Sequence, residues 1–176
     1  MMSGITRLLL NDESSLDASL FDPEHKLYLH FELEGDYYGI PIENVAEVRS
    51  WADIKVRPLV KAPDFLLGVF NLRGNIVPVV DLRRKWQCVS QNFESRTAVI
   101  VLTIERRMWA IVVDAIKEVA GLRKEQILPA PTLNSKLNVQ YFHGIAERQA
   151  GHTVMLLDIE KVMTSSEMGL MDSFSS

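Results

Sequence analysis

The chain has 176 residues, 47% hydrophobic and 24% charged, with a formal net charge of -4. That balance is ordinary for a globular domain, leaves no basic footprint for nucleic acid, and supplies enough apolar surface to fold without metal or disulfide support. A single cysteine, Cys88, excludes an internal disulfide and fits a reducing cytosol. The longest uninterrupted apolar run, Met108 to Val113, is far short of the roughly 20 residues a spanning helix needs. Leu8-Leu9-Leu10 after Arg7 is too short for the apolar region of a signal peptide and precedes no small-residue cleavage site. The expectation is a cytoplasmic protein with no membrane insertion of its own.

Residues 1–25 mix Ser, Asp, Asn and Glu with scattered leucines and read as a loosely ordered leader, with one helical turn around Ile5 to Leu10. From Lys26 the pattern alternates. Leu27, Leu29, Phe31 and Leu33 share one face, and Lys26, Tyr28, His30, Glu32 and Glu34 the other, as in a half-buried strand. Gly35-Asp36 supplies a turn and Tyr37 to Ile42 a returning strand, a β-hairpin. Pro41 has no backbone donor, so the strand lies on a sheet edge there or leaves the ladder. Val45 to Trp51 is a helical turn or bent strand, and Val56 to Phe65, with Pro58 and Pro63, an extended connection. Leu66 to Phe70 and Ile76 to Asp81 form a second hairpin across Asn71-Leu72-Arg73-Gly74-Asn75, residues that tolerate positive φ. Residues 87–95 are loop-like. Thr97 to Ile104 and Met108 to Val113 are two more strands around Glu105-Arg106-Arg107. Asp158 to Met163 is a helical turn, and Glu167 to Asp172 a short capped helix in the C-terminal tail.

The chain repeats itself. Tyr38 to Val48 matches Trp109 to Val119, 71 residues on, each segment leading from an aromatic through apolar residues to an acidic one and ending in Glu-Val. Gly68-Val-Phe and Val77 to Leu82 are echoed by Gly144-Ile-Ala and Thr153 to Ile159 in the same order. Two similar β units follow from this. Sheets of so few strands hide their edges by curling into small barrels, and two barrels leave a groove between them.

Catalytic chemistry finds little footing. His25, His30, His143 and His152 show no ligand spacing, and Cys88 has no Cys or His neighbour, so exposed or partly buried histidines are expected and no metal or cofactor. Phosphate-binding loops and nucleophile elbows are absent from the sequence. Asp81, Asp114 and Asp158 end apolar strands and are expected to cap turns or helices. Arg83-Arg84-Lys85, the only basic triplet, reads as a solvated strand end. Leu72 and Arg73 on a tight turn are hard to bury, which suits either a partner contact or an incidental hairpin tip. Glu47 and Glu118 recur at matching places, and a solvated edge explains them as well as a contact does. Trp51, Trp86 and Trp109 are expected in the core or between the units.

The segment Gly68-Val-Phe-Asn-Leu-Arg-Gly-Asn-Ile-Val-Pro-Val-Val-Asp-Leu-Arg83 resembles the signature of CheW, the chemotaxis coupling family. The likeness continues through Tyr38 to Ile40, Val45 to Arg49, Thr97 to Leu102, Gln126 to Pro131, Leu156 to Lys161 and Ser166 to Asp172. It implies an all-β fold of two packed five-stranded SH3-like β-barrel lobes, at about residues 26–90 and 91–163, with short helices and a helical tail over 164–176. The resemblance further implies a non-catalytic adaptor bridging the cytoplasmic tip of chemoreceptors and the regulatory domain of the histidine kinase CheA in membrane-associated arrays. Its receptor-facing residues would be Val45, Leu72, Arg73, Ile100 and Val119, and its kinase-facing residues Ile42, Glu47 and Val48. Departures are the long leader, Pro41 where the family more often has an acidic residue, and the turn Glu147 to His152. The alternatives are a CheW-like paralogue serving another chemosensory pathway or competing for kinase, and an enzyme or small-ligand binder using the groove between the units.

Overall fold

Ten strands carry the fold: β1 (Lys26–Leu33), β2 (Asp36–Pro41), β3 (Val45–Ser50), β4 (Leu66–Leu72), β5 (Asn75–Asp81), β6 (Ala98–Ile104), β7 (Arg107–Val113), β8 (Ala115–Leu122), β9 (Phe142–Glu147) and β10 (Thr153–Leu157). Two short helices, α1 (Leu82–Lys85) and α2 (Ile159–Thr164), follow β5 and β10. This is a computed structural model, and it describes residues 22–130, 139–148 and 151–164. The expected helices around Ile5 to Leu10 and Glu167 to Asp172 lie outside the described residues.

Turn chemistry sets the hairpins. Glu34 and Gly35 at the β1–β2 turn, Arg73 and Gly74 at the β4–β5 turn, and Glu105 and Arg106 at the β6–β7 turn all hold positive φ, which matches the right-handed twist of the flanking strands. Asn71 Oδ1 accepts a hydrogen bond from the Gly74 N–H at 2.7 Å, closing its own turn. β2 ends at Pro41, past the last residue that β10 pairs with, so the proline does leave the ladder and a 3-10 turn (Ile42–Asn44) follows. Val45 to Ser50 is the bent strand of the two forms expected.

The strands form two sheets, β8-β1-β2-β10-β9 (sheet I) and β3-β6-β7-β5-β4 (sheet II). Neither follows the expected division at about residue 90. The hairpin β1–β2 of the first repeat joins β8, β9 and β10 of the second, and the hairpin β6–β7 of the second joins β3, β4 and β5 of the first. The repeat is real, but its halves exchange their leading hairpins. Two units of near-identical pattern pair equally well with themselves or with each other, so alternation alone cannot reveal the swap.

Nor is either sheet a fully hydrogen-bonded barrel. Each curls until the stretch after its first edge strand touches the other edge through a single bridge, Arg57 to Val69 in sheet II and Leu128 to Ile145 in sheet I. A glycine marks both closures. A Cβ on Gly68 would stand 2.0 Å from the Arg57 carbonyl oxygen, and one on Gly144 would stand 2.4 Å from that of Leu128. The two glycines matched in the sequence thus do the same work: they let the closing backbone approach.

Three apolar clusters result. The largest lies between the sheets and joins Leu29, Phe31 and Ile40 to Ile100, Leu102 and Ile111. Phe70, Val77, Val79, Val99, Val101 and Ala110 fill the curl of sheet II, and Tyr28, Leu122, Ala146, Val154 and Leu156 that of sheet I. Strands that face two clusters are buried on both sides, so β1 is not half-buried as its alternation suggested. Tyr28 is 3% and His30 1% exposed. For His30 this corrects the expectation of an exposed or partly buried side chain. Trp109 is buried, and Trp86 lies 5.8 Å from the Tyr38 ring, linking the sheets as expected. Burial pushes the Tyr38 hydroxyl well above its ordinary range. Among the described residues no helix is long and apolar enough to cross a membrane.

Candidate functional site

The β4–β5 hairpin tip reaches over to β3. β3 carries a bulge at Ala46, where its pairing with β6 slips between Val45 and Glu47, and this turns the Glu47 side chain under the tip. Glu47 Oε2 accepts from Arg73 Nη2 at 3.0 Å, and Oε1 from Arg49 Nε at 2.5 Å. One nearly buried carboxylate therefore holds two guanidiniums and leaves a surplus positive charge at the surface. The Arg73 side chain remains 59% exposed, so the pair contributes little stability but fixes where the cation stands. Glu47 is no solvated edge residue.

The expected contact residues divide by burial. Arg73 is exposed, and Ile42, Val48 and Val119 are partly buried against the inter-sheet core. Val45 is 8% exposed, Leu72 3% and Ile100 0%. Leu72 corrects the expectation that a residue beside the turn is hard to bury, because alternation sends its side chain into the curl of sheet II. Ile100 sits in β6, which is covered on both faces, and has no surface to offer a partner. Val119 belongs to sheet I and the others to sheet II or the segment leading into it. The receptor and kinase sets are not separate patches: Val45 lies between Ile42 and Glu47 in the chain, and Arg73 is bonded to Glu47.

Sheet I repeats the motif with changed chemistry. Its bulge falls at Lys117, where the β1–β8 pairing slips between Glu118 and Ile116, 71 residues after Ala46. Glu118 Oε1 accepts from Arg148 Nη2 at 2.6 Å and Nε at 2.8 Å, as Glu47 accepts from Arg73. The His30 imidazole, and then the Arg148 guanidinium, hold the Glu118 carboxyl below its ordinary range. His30 Nδ1 stands 3.6 Å from Glu118 Oε1, too long for a good hydrogen bond, so its pull depends on the ring carrying a proton. Arg148 also lies over the Tyr37 ring at 4.9 Å and Lys117 at 5.7 Å, both within cation–π reach.

The basic triplet is corrected most sharply. Arg83 is not solvated but 0% exposed. Its Nε and Nη2 donate to the two Asp81 oxygens at 2.9 Å each, and its Nη1 donates to the Asn92 carbonyl at 2.6 Å and to Asp114 at 3.4 Å. Burial opposes its charge, yet Asp81 and Asp114 hold its pKa above the ordinary value. Asp81 also accepts from the Arg83 N–H, Asp114 from the Glu34 N–H, and Asp158 from the Lys161 N–H, so all three aspartates cap turns or helices as expected. Phe93 lies over the Arg83 guanidinium at 4.8 Å and stacks on Trp51 at 4.3 Å. Beside Trp51, a groove of about 740 Å³ runs between the segment Ala52 to Arg57 and the β4–β5 hairpin. Sequence reasoning missed Arg83, Phe93 and Arg148. The one available signal was the position of Arg148 near the second repeat's hairpin tip.

The fold and these clusters define a class: a pseudo-twofold β module whose conspicuous polar groups are ion pairs around hairpin tips, with no group of three or more metal-ligating side chains among the described residues. The family model for the CheW-like domain matches residues 27–167, and the chain belongs to the CheW-like family of chemotaxis scaffold proteins. It is 40% identical over 146 residues to the chemotaxis protein CheW of Klebsiella aerogenes, covering 83% of this chain and 86% of that protein. Against the CheW of Treponema pallidum it is 30% identical over 142 residues, covering 78% and 82%. The solved structure of the scaffolding protein TtCheW from Thermoanaerobacter tengcongensis superposes with a TM-score of 0.72 at 24% identity, over 81% of this chain and 95% of that one, a likeness of fold.

Proposed function

We propose that the chain is a cytoplasmic, non-catalytic adaptor that couples chemoreceptors to the histidine kinase CheA in membrane-associated arrays. The observation that carries this reading is the Arg73 turn: an exposed guanidinium aimed by a buried carboxylate beside partly buried apolar residues. Arg is favoured at binding hot spots because its fork bonds planar acceptors while its stem covers apolar surface. In this reading Arg73 and Val119 face the receptor, and Ile42 and Val48 face the kinase. Val45, Leu72 and Ile100 shape the surface from beneath, and Glu47 orients the arginine. Because Glu47 joins the two sets, a partner that draws Arg73 away changes the ground on which the other partner sits. Receptor conformation then shifts the kinase between its activity states only to the extent that the ternary contacts differ between them. A micromolar contact, about -8 kcal/mol, suffices in an array that raises effective concentration.

Arg73→Glu tests the reading. It places two carboxylates together and is expected to weaken co-sedimentation with receptor-containing membranes, or capture of the kinase, at least tenfold while circular dichroism stays unchanged. A folded variant that retains both partners equally would overturn it.

A further inference from the structure

The groove beside Trp51 is amphipathic and carries an unusual charge for this chain. Ile54, Val56 and Ile76 supply its apolar lining, and Ile76 is 64% exposed. Arg49, Lys55 and Arg57 line it against a single carboxylate, Asp53. With the neighbouring Arg73 and Glu47 this face holds four cations and two anions, a surplus of two positive charges on a protein of net charge -4. Lys55 and Arg57 are exposed, and among the described residues no ion pair engages either. A groove this size accommodates a short peptide segment.

We propose that the chain's own leader occupies this groove. The 21 residues before Asp22 contain Asp12, Glu13 and Asp17 against one Arg7, with Leu16, Leu20 and Phe21 interleaved. That is the acidic and apolar mixture the groove complements, and its net charge of minus two matches the local surplus. Reach is no obstacle. Asp22 is fastened to Arg123 at 2.9 Å and Lys26 to Glu43 at 3.3 Å, and from Glu43 the way to Arg49 lies along β3. At about 3.4 Å per residue that path is roughly 35 Å, whereas 21 residues extend to about 70 Å. A tethered segment also needs little intrinsic affinity, because its effective concentration is in the millimolar range. Seated there, the leader covers Ile76 and the flank of the Arg73 turn.

Zero-length carbodiimide cross-linking of the intact, dilute chain, mapped by mass spectrometry, tests this. Lys55 is expected to join Asp12, Glu13 or Asp17 of the same molecule. In a mixture of isotope-labelled and unlabelled chains those links should remain unmixed. The variant Asp12→Asn/Glu13→Gln/Asp17→Asn should shift the amide resonances of Ile54 to Arg57 and of Ile76, and it leaves every described contact of the two sheets in place. Lys55 linked only to carboxylates beyond residue 21, mixed-isotope links that make a second copy the occupant, or unmoved amides in the triple variant would each overturn the proposal.

Discussion

Sheets I and II share a strand order, a bulge, a closing glycine and a glutamate–arginine pair at the hairpin tip, yet they treat their polar groups oppositely. Sheet II buries its charges. Glu47 is nearly covered, and at the end of β5 Asp81 holds Arg83 wholly out of water. Sheet I leaves them wetter: Glu118 is 45% exposed, and Asp158 at the end of β10 faces only Lys161 at 4.0 Å and His143 at 3.9 Å. Conversely, sheet I places an imidazole inside its curl where sheet II has an aliphatic residue. His30 opposes Glu118 and Val101 opposes Glu47, at equivalent positions of the repeat. One backbone plan therefore tolerates two electrostatic solutions. The more deeply buried one fastens the loop of Asn92 and Phe93 against the sheet beside the groove.

The largest way to break this asymmetry is Arg83→Met. It leaves Asp81 buried without its partner, and about 3–5 kcal/mol of stability should be lost. Urea unfolding checks it, and a loss below about 1 kcal/mol would mean that the cluster is not buried in solution. The glycines come next. Gly68→Ala forces a Cβ into the Arg57 carbonyl and should cost about 3 kcal/mol, with Gly144→Ala costing somewhat less because its clash is milder. The reverse order, measured by thermal unfolding, would contradict the two closures as described. His30→Val copies the counterpart position into sheet I. Both ring nitrogens of His30 are buried without a hydrogen-bond partner, so the substitution should stabilise the fold by about 1 kcal/mol. A destabilised variant would show that the imidazole is bonded after all.

The smallest effect belongs to Glu118. Its pKa is lower in the folded chain than in the unfolded one, so its contribution is present above the unfolded value and disappears as pH falls through the folded value. Glu118→Gln should flatten the acid limb of the stability curve below the ordinary carboxylate range and leave neutral pH almost unchanged. An unaltered acid limb would remove Glu118 from the account.

Much of the fold was legible beforehand. The β1–β2, β4–β5 and β6–β7 hairpins announced themselves through alternation and turn residues, and the 71-residue repeat correctly paired Glu47 with Glu118 and Gly68 with Gly144. The site was legible only in part. Arg73 was found because a tight turn exposes it, whereas Ile100 and Leu72 were placed on a surface they do not reach, and Arg83 in solvent it never meets.

Local pattern by itself determined the all-β class, the hairpins, the internal repeat and, through the Asn71 to Leu82 segment, the family. Those properties live in spacings of two to a dozen residues, where turn geometry and side-chain alternation act. Which hairpin joins which sheet, which faces are covered twice, and which charges meet were decided by tertiary structure alone. The Arg83–Asp114 and Glu118–Arg148 contacts span dozens of residues, and a guanidinium is stable in a dry interior only once the fold has brought a carboxylate to it.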